Sequence, residues 1–138
     1  MKAISYYFED VTFSKATLPP KKSIINFIKN KKVTIHVICF VFCSDKYLQK
    51  LNKKHLSHTE LTDVITFDYS QKNNISGDII ISYERVKENA LTYNVSVKEE
   101  LSRVMIHGVL HLMGYDDKSN TEKKKMRRME NSYIKQLT

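Results

Sequence analysis

The chain has 138 residues, of which 41% are hydrophobic, and a formal net charge of +8. That length suits one packed domain spanning residues 1–138, and the longest apolar run, residues 37–43, is far too short to cross a membrane. The opening MKAISYYFED carries acidic residues where a secretory leader needs its apolar centre, so a cytoplasmic protein is expected.

In chain order, Ala3 to Phe8 alternates weakly and reads as a first strand, closed by Glu9 and Asp10. Pro19-Pro20 sets a helix start, and residues 23–29 place apolar side chains at helical spacing. Val33 to Cys43 is rich in β-branched and aromatic residues and reads as a central strand. His36 within it reads as an edge or satisfied histidine. Cys39 and Cys43 would stand about 13 Å apart along that strand, beyond disulfide reach, so both are expected as buried reduced thiols. Ser44-Asp45 offers an N-cap for a helix through Lys54, with Tyr47, Leu48 and Leu51 on one face.

The polar stretch HLSHTELT follows, where His55 and His58 could flank a cleft. Thr62-Asp63 opens a strand from Val64 to Tyr69; Asp63 could cap a turn or face the site, and the sequence favours the turn. QKNNISG reads as the turn into a strand from Asp78 to Ile81, pairing the two as a hairpin. Ser82 caps a helix through about Tyr93. Ser96-Val-Lys-Glu99 and Ser119-Asn-Thr-Glu122 read as capping boxes that start two more helices. The first buries Leu101, Val104, Met105 and Leu112; the second packs through Met126, Met129, Tyr133 and Ile134. The predicted class is therefore α/β (α+β): a mixed four-stranded sheet packed with about five helices.

His107 and His111 stand four residues apart, about 40° around a helix and one turn up, so both imidazoles can face one metal ion. The same spacing also suits two polar residues at the edge of a core. Gly114 provides a left-handed stop, after which Asp116 or Asp117 can return to the open side of the ion. Either aspartate could supply the third ligand; if Asp117 does, Asp116 is left to orient a histidine or the turn. Two nitrogens and one carboxylate leave a fourth position free, as in a catalytic zinc site. A zinc peptidase of the HExxH type is disfavoured, because Gly108 occupies the glutamate position.

HGVLHLMGYDD, residues 107–117, resembles HGxLHLxGYDH, the signature of the YbeY family of metal-dependent endoribonucleases. LTDVITF (61–67) is similar to that family's PTDVLSF, Leu51-Asn52 to its LN, and SGDIIIS (76–82) to its LGDIVIS. Two positions depart: Asp117 stands for the third histidine, and His55-Leu56 for a Tyr-Arg pair whose arginine helps hold RNA. The resemblance implies one zinc ion on His107, His111 and Asp117, with catalysis through water held by the metal and no identified side-chain base. It also implies cleavage of single-stranded RNA in rRNA maturation, with an rRNA precursor or the small ribosomal subunit as partner.

Between Lys118 and Thr138 there are seven basic residues (Lys118, Lys123, Lys124, Lys125, Arg127, Arg128, Lys135) against Glu122 and Glu130, a balance suited to a polyanion beside such a site. The alternatives are a non-catalytic, metal-stabilised RNA- or ribosome-binding factor and, less favoured, a zinc peptidase drawing its carboxylate from Glu60 or Glu99.

Overall fold

Four strands, β1 (Ile4–Phe8), β2 (Thr34–Cys43), β3 (Val64–Asp68) and β4 (Asn74–Ser82), form one sheet in the order β1-β2-β4-β3. β1, β2 and β4 run parallel, and β3 runs antiparallel to β4 as the expected hairpin partner. Five α-helices accompany them: α1 (Lys21–Ile28), α2 (Asp45–Leu56), α3 (Tyr83–Tyr93), α4 (Val97–Leu112) and α5 (Asn120–Gln136). A 3-10 turn at Lys15–Thr17 was not expected. The computed structural model describes residues 3–56 and 62–137, excluding the side chains of His55 and Leu56. His58, Glu60 and the His55 and Leu56 side chains therefore lie outside the described residues.

Side-chain alternation on β4 divides the interior in two. Ile75, Ile79 and Ile81 join Ile38, Phe40 and Phe42 of β2 in the larger core, beneath α1, α3, α4 and α5. Ile80 points the other way, into a smaller core with Cys43, Ile65 and Leu48 of α2. α4 is the central helix: Leu101, Val104, Met105 and Leu112 are buried as expected, and so are Ile106, Val109 and Leu110. Each such side chain contributes about 1.5–3 kcal/mol on full burial, so α4 is fixed on the sheet more firmly than an amphipathic surface helix would be. Two glycines set how closely it lies. A Cβ at Gly77 of β4 would stand 2.6 Å from Leu112 Cδ2 and 2.5 Å from the Phe67 carbonyl oxygen. A Cβ at Gly108 of α4 would stand 2.7 Å from Ile79 Cγ2.

β4 begins four residues earlier than its sequence indicates. Asn74, Ser76 and Gly77 are turn-forming residue types, but the backbone of 74–77 pairs with β2 from Thr34 onward, and that ladder prevails over local preference. The turn is confined to 69–73, with Lys72 at φ +55° and a Gln71–Asn74 bridge closing it. His36 is exposed at a bulge between Ile35 and Val37, as an edge histidine. Cys43 is buried and donates to the Ile81 carbonyl, its pKa pushed up to about 12 by burial, whereas Cys39 is only half-buried. No helix among the described residues is long and apolar enough to cross a membrane.

Candidate metal centre and its flanking clefts

α4 ends where the site begins. Its N-terminus is set by the Ser96 hydroxyl accepting from the Glu99 amide, and its C-terminus by a Schellman turn. There the Tyr115 amide donates to the Leu110 carbonyl and the Gly114 amide to the His111 carbonyl, with Gly114 at φ +98°. This left-handed residue reverses the chain. Two residues beyond Asp117, Ser119 caps α5 in a full capping box, its hydroxyl accepting from the Glu122 amide while the Glu122 carboxylate accepts from the Ser119 amide. Asp117 is thus held between two hydrogen-bonded motifs only a few residues apart.

The result is a three-atom cluster. His107 Nε2 and His111 Nε2 lie 3.0 Å apart, and Asp117 Oδ2 lies 3.3 Å from the first and 3.6 Å from the second. Together these residues could hold one metal ion. Asp116 is exposed and lines a different hollow with Tyr115 and Lys125, so the expected orienting role is not its own.

That role belongs to Glu130 of α5. Its side chain is 8% exposed, and its carboxylate accepts a 2.7 Å hydrogen bond from His107 Nδ1. With the proton on Nδ1, Nε2 keeps its lone pair directed at the cluster. Glu130 also accepts from Arg103 at 3.2 Å and pairs with Arg127 at 3.6 Å. Burial works against charging His107, but Glu130, Asp117 and Asp63 outweigh it, so its pKa stands above the ordinary histidine value. Glu130 was read from sequence as a counter-charge in a basic helix. Its signal was its position: it stands four residues after Met126 and three before Tyr133, in the helix's apolar stripe.

For Asp63 the less favoured of its two readings holds. Rather than serving only a turn, it faces the site, where burial raises its pKa and Asn89 donates to it at 3.4 Å. Two clefts meet at His107, Asp117 and Asp63. One, of about 550 Å³, follows Val64, Thr66 and Asp68 on the α4-side face of the edge strand β3 and includes His111. The other, of about 340 Å³, runs between α3 and α5 and is walled by Arg103, Lys123 and Arg127. Glu100 also lines it; burial, then the charge of Asp63, raise its pKa to about 7 despite Arg103 and Arg127. Gly108 faces the sheet, so any side chain at that position would meet Ile79 before it met a substrate. Glu99, the other carboxylate weighed for a peptidase, lines neither cleft.

The family model described as Endoribonuclease YbeY matches residues 11–138. An Amoebophilus asiaticus protein named Endoribonuclease YbeY is 47% identical over 139 residues, covering 96% of this chain and 92% of that protein. A Flavobacterium johnsoniae protein of the same name is 52% identical over 97 residues, 70% of each. The solution structure of a Thermotoga maritima protein matches with a TM-score of 0.71 at 26% identity, covering 96% of this chain and 88% of that one.

Proposed function

The chain belongs to the endoribonuclease YbeY family, hydrolases acting on RNA phosphodiester bonds, and from that premise we propose that it is a zinc-dependent enzyme cutting single-stranded RNA during rRNA maturation. One observation carries the zinc reading. Tetrahedral coordination with N and O ligands at about 2.0–2.2 Å spaces the donors about 3.3–3.5 Å apart. The donor atoms here are spaced 3.0, 3.3 and 3.6 Å, which fits such an ion with one position left open. Zinc bound there would act as a Lewis acid toward the scissile phosphate and would make bound water more acidic.

The remaining work falls to the chain's own residues. Glu130 fixes the His107 ring, and Asp117 adds one negative charge to the donor set. Arg103, Lys123 and Arg127 line the adjoining cleft, where they favour a polyanion. A carboxylate side chain at position 108 would meet Ile79, which counts against a zinc peptidase of the HExxH type. An rRNA precursor or the small ribosomal subunit as partner, and a cytoplasmic location, complete the proposal; two free thiols agree with the latter.

The test is cleavage of a labelled single-stranded RNA by protein stripped of metal and resupplied with zinc, beside His111→Ala prepared in parallel. Activity should return only in the unsubstituted protein, and the cleaved termini will distinguish attack by water from attack by the RNA's own 2′-OH. Equal activity in both preparations would overturn the reading. RNA binding without cleavage in either would favour the non-catalytic binding factor.

A further inference from the structure

Glu100 is only 5% exposed, and among the described residues its carboxylate has neither a hydrogen bond nor an ion pair. Arg103, three residues on and well placed to neutralise it, is turned to Glu130 instead, at 3.2 Å. The charges that act on Glu100 are those of Asp63, Arg103, Arg127 and Glu130, all walls of the same cavity of about 340 Å³. A carboxyl so largely buried, with no partner in the protein, is costly unless water or a ligand in the adjoining cavity supplies donors. The cavity beside it is the place from which a ligand could do so.

The rest of the cavity indicates which ligand. Its volume is at the low end for small-molecule sites, which suits one nucleotide. Arg103, Lys123 and Arg127 offer donors for a phosphate, and Tyr93 at the rim, 60% exposed, offers a ring face for a base. Glu100 lies two helical turns before His107, about 10.5 Å along the axis, with its side chain leaning further away. That is too far to pass a proton to a phosphate held at His107, but it suits the neighbouring nucleotide. A carboxylate also repels phosphate, and within an RNA strand the ribose offers it only the 2′-OH, so the base edge is the part that can supply two donors.

We propose that this cavity is a single-nucleotide subsite in which Glu100 reads the Watson–Crick edge of a base and selects guanine. Guanine presents two adjacent donors, N1–H and the N2 amine, which match the two carboxylate oxygens. Adenine and cytosine present one amino group each. Uracil flanks its single N–H with two carbonyl oxygens that face the carboxylate unfavourably. Glu100 is thus a specificity-determining residue, acting one nucleotide from the scissile bond. The proposal rests on the ribonuclease reading above.

Two measurements on the zinc-supplied full chain at pH 8, where Glu100 is ionised, test it separately from that reading. The first is kcat/KM for short single-stranded RNAs that differ in one base at each position around a common cut. The second is binding of 5′-GMP and 5′-UMP followed by NMR titration, which needs no turnover. The unsubstituted protein should prefer G over U by about tenfold at one adjacent position, and GMP over UMP by a similar factor. Glu100→Gln, which keeps shape and folding, should bring both ratios near one. Ratios unchanged in Glu100→Gln, or an equal loss for all four bases, would overturn the subsite while leaving the nuclease intact. Discrimination between GMP and UMP that depends on Glu100, without cleavage of any RNA, would uphold the subsite and refute the nuclease.

Discussion

Glu130 Oε2 lies 2.7 Å from His107 Nδ1, tying the basic C-terminal helix to the first of the two facing histidines on α4. Glu130→Gln keeps a hydrogen-bonding group but loses the charge that makes the imidazole a better donor. Zinc affinity, read by competition with a chromophoric chelator, should fall by about 10–100-fold. Glu130→Ala should also destabilise the fold by about 1–3 kcal/mol, since Arg103 is left 16% exposed without its partner. Unchanged zinc affinity in both variants would mean that the contact does not orient His107.

Gly108→Ala tests the closeness of α4 to the sheet. Alanine favours a helix interior by about 1 kcal/mol over glycine, but its methyl would stand 2.7 Å from Ile79 Cγ2. Overpacking should win, with a net loss of about 1–2 kcal/mol in denaturant unfolding. Ile79→Ala opens that space, so the double variant should lose less than the sum of the two single losses. Strict additivity would mean that the two residues do not press on each other.

These two positions also show what could be read from the sequence and what could not. The caps at Ser82, Ser96 and Ser119, the stop at Gly114 and the pairing of β3 with β4 are local features, and they were legible because each depends on residues a few places apart. His107, His111 and Asp117 were legible for the same reason. Glu130 was not, and Asp63 was legible only as the less favoured of two readings: their roles arise where α5 and the edge of β3 meet α4, which local spacing does not encode. Gly77 looked like part of a turn, because its real constraint, the side chain of Leu112, lies thirty-five residues away in sequence.

Glu100 gives the protein a pH-dependent stability whose sign is fixed by its raised pKa. The folded chain holds a proton on Glu100 to about pH 7, whereas the unfolded chain releases it near the ordinary glutamate value of 4.5. Its contribution is therefore fully present below about pH 4.5 and is lost as pH rises through about 7. Glu100→Gln removes the charge, so the stability of the metal-free variant relative to the unsubstituted protein should rise by about 2 kcal/mol between pH 5 and pH 8. A difference that stays constant with pH would contradict the shift.

Lys123 and Arg127 should bind RNA through its phosphates, whatever the base. Lys123→Ala or Arg127→Ala should weaken binding of all single-stranded sequences alike. Each should reduce the slope of log K against log salt by about 0.7. A loss confined to particular sequences, with the slope unchanged, would assign them to base reading instead.

The most direct test of the account is a stoichiometric titration in which metal-free protein receives zinc in steps while bound zinc and RNA cleavage rate are measured on the same samples. The rate should rise in proportion to zinc occupancy and level off at one ion per chain, and His111→Ala should show neither tight binding nor cleavage. Full cleavage before zinc is added, or none at full occupancy, would contradict it.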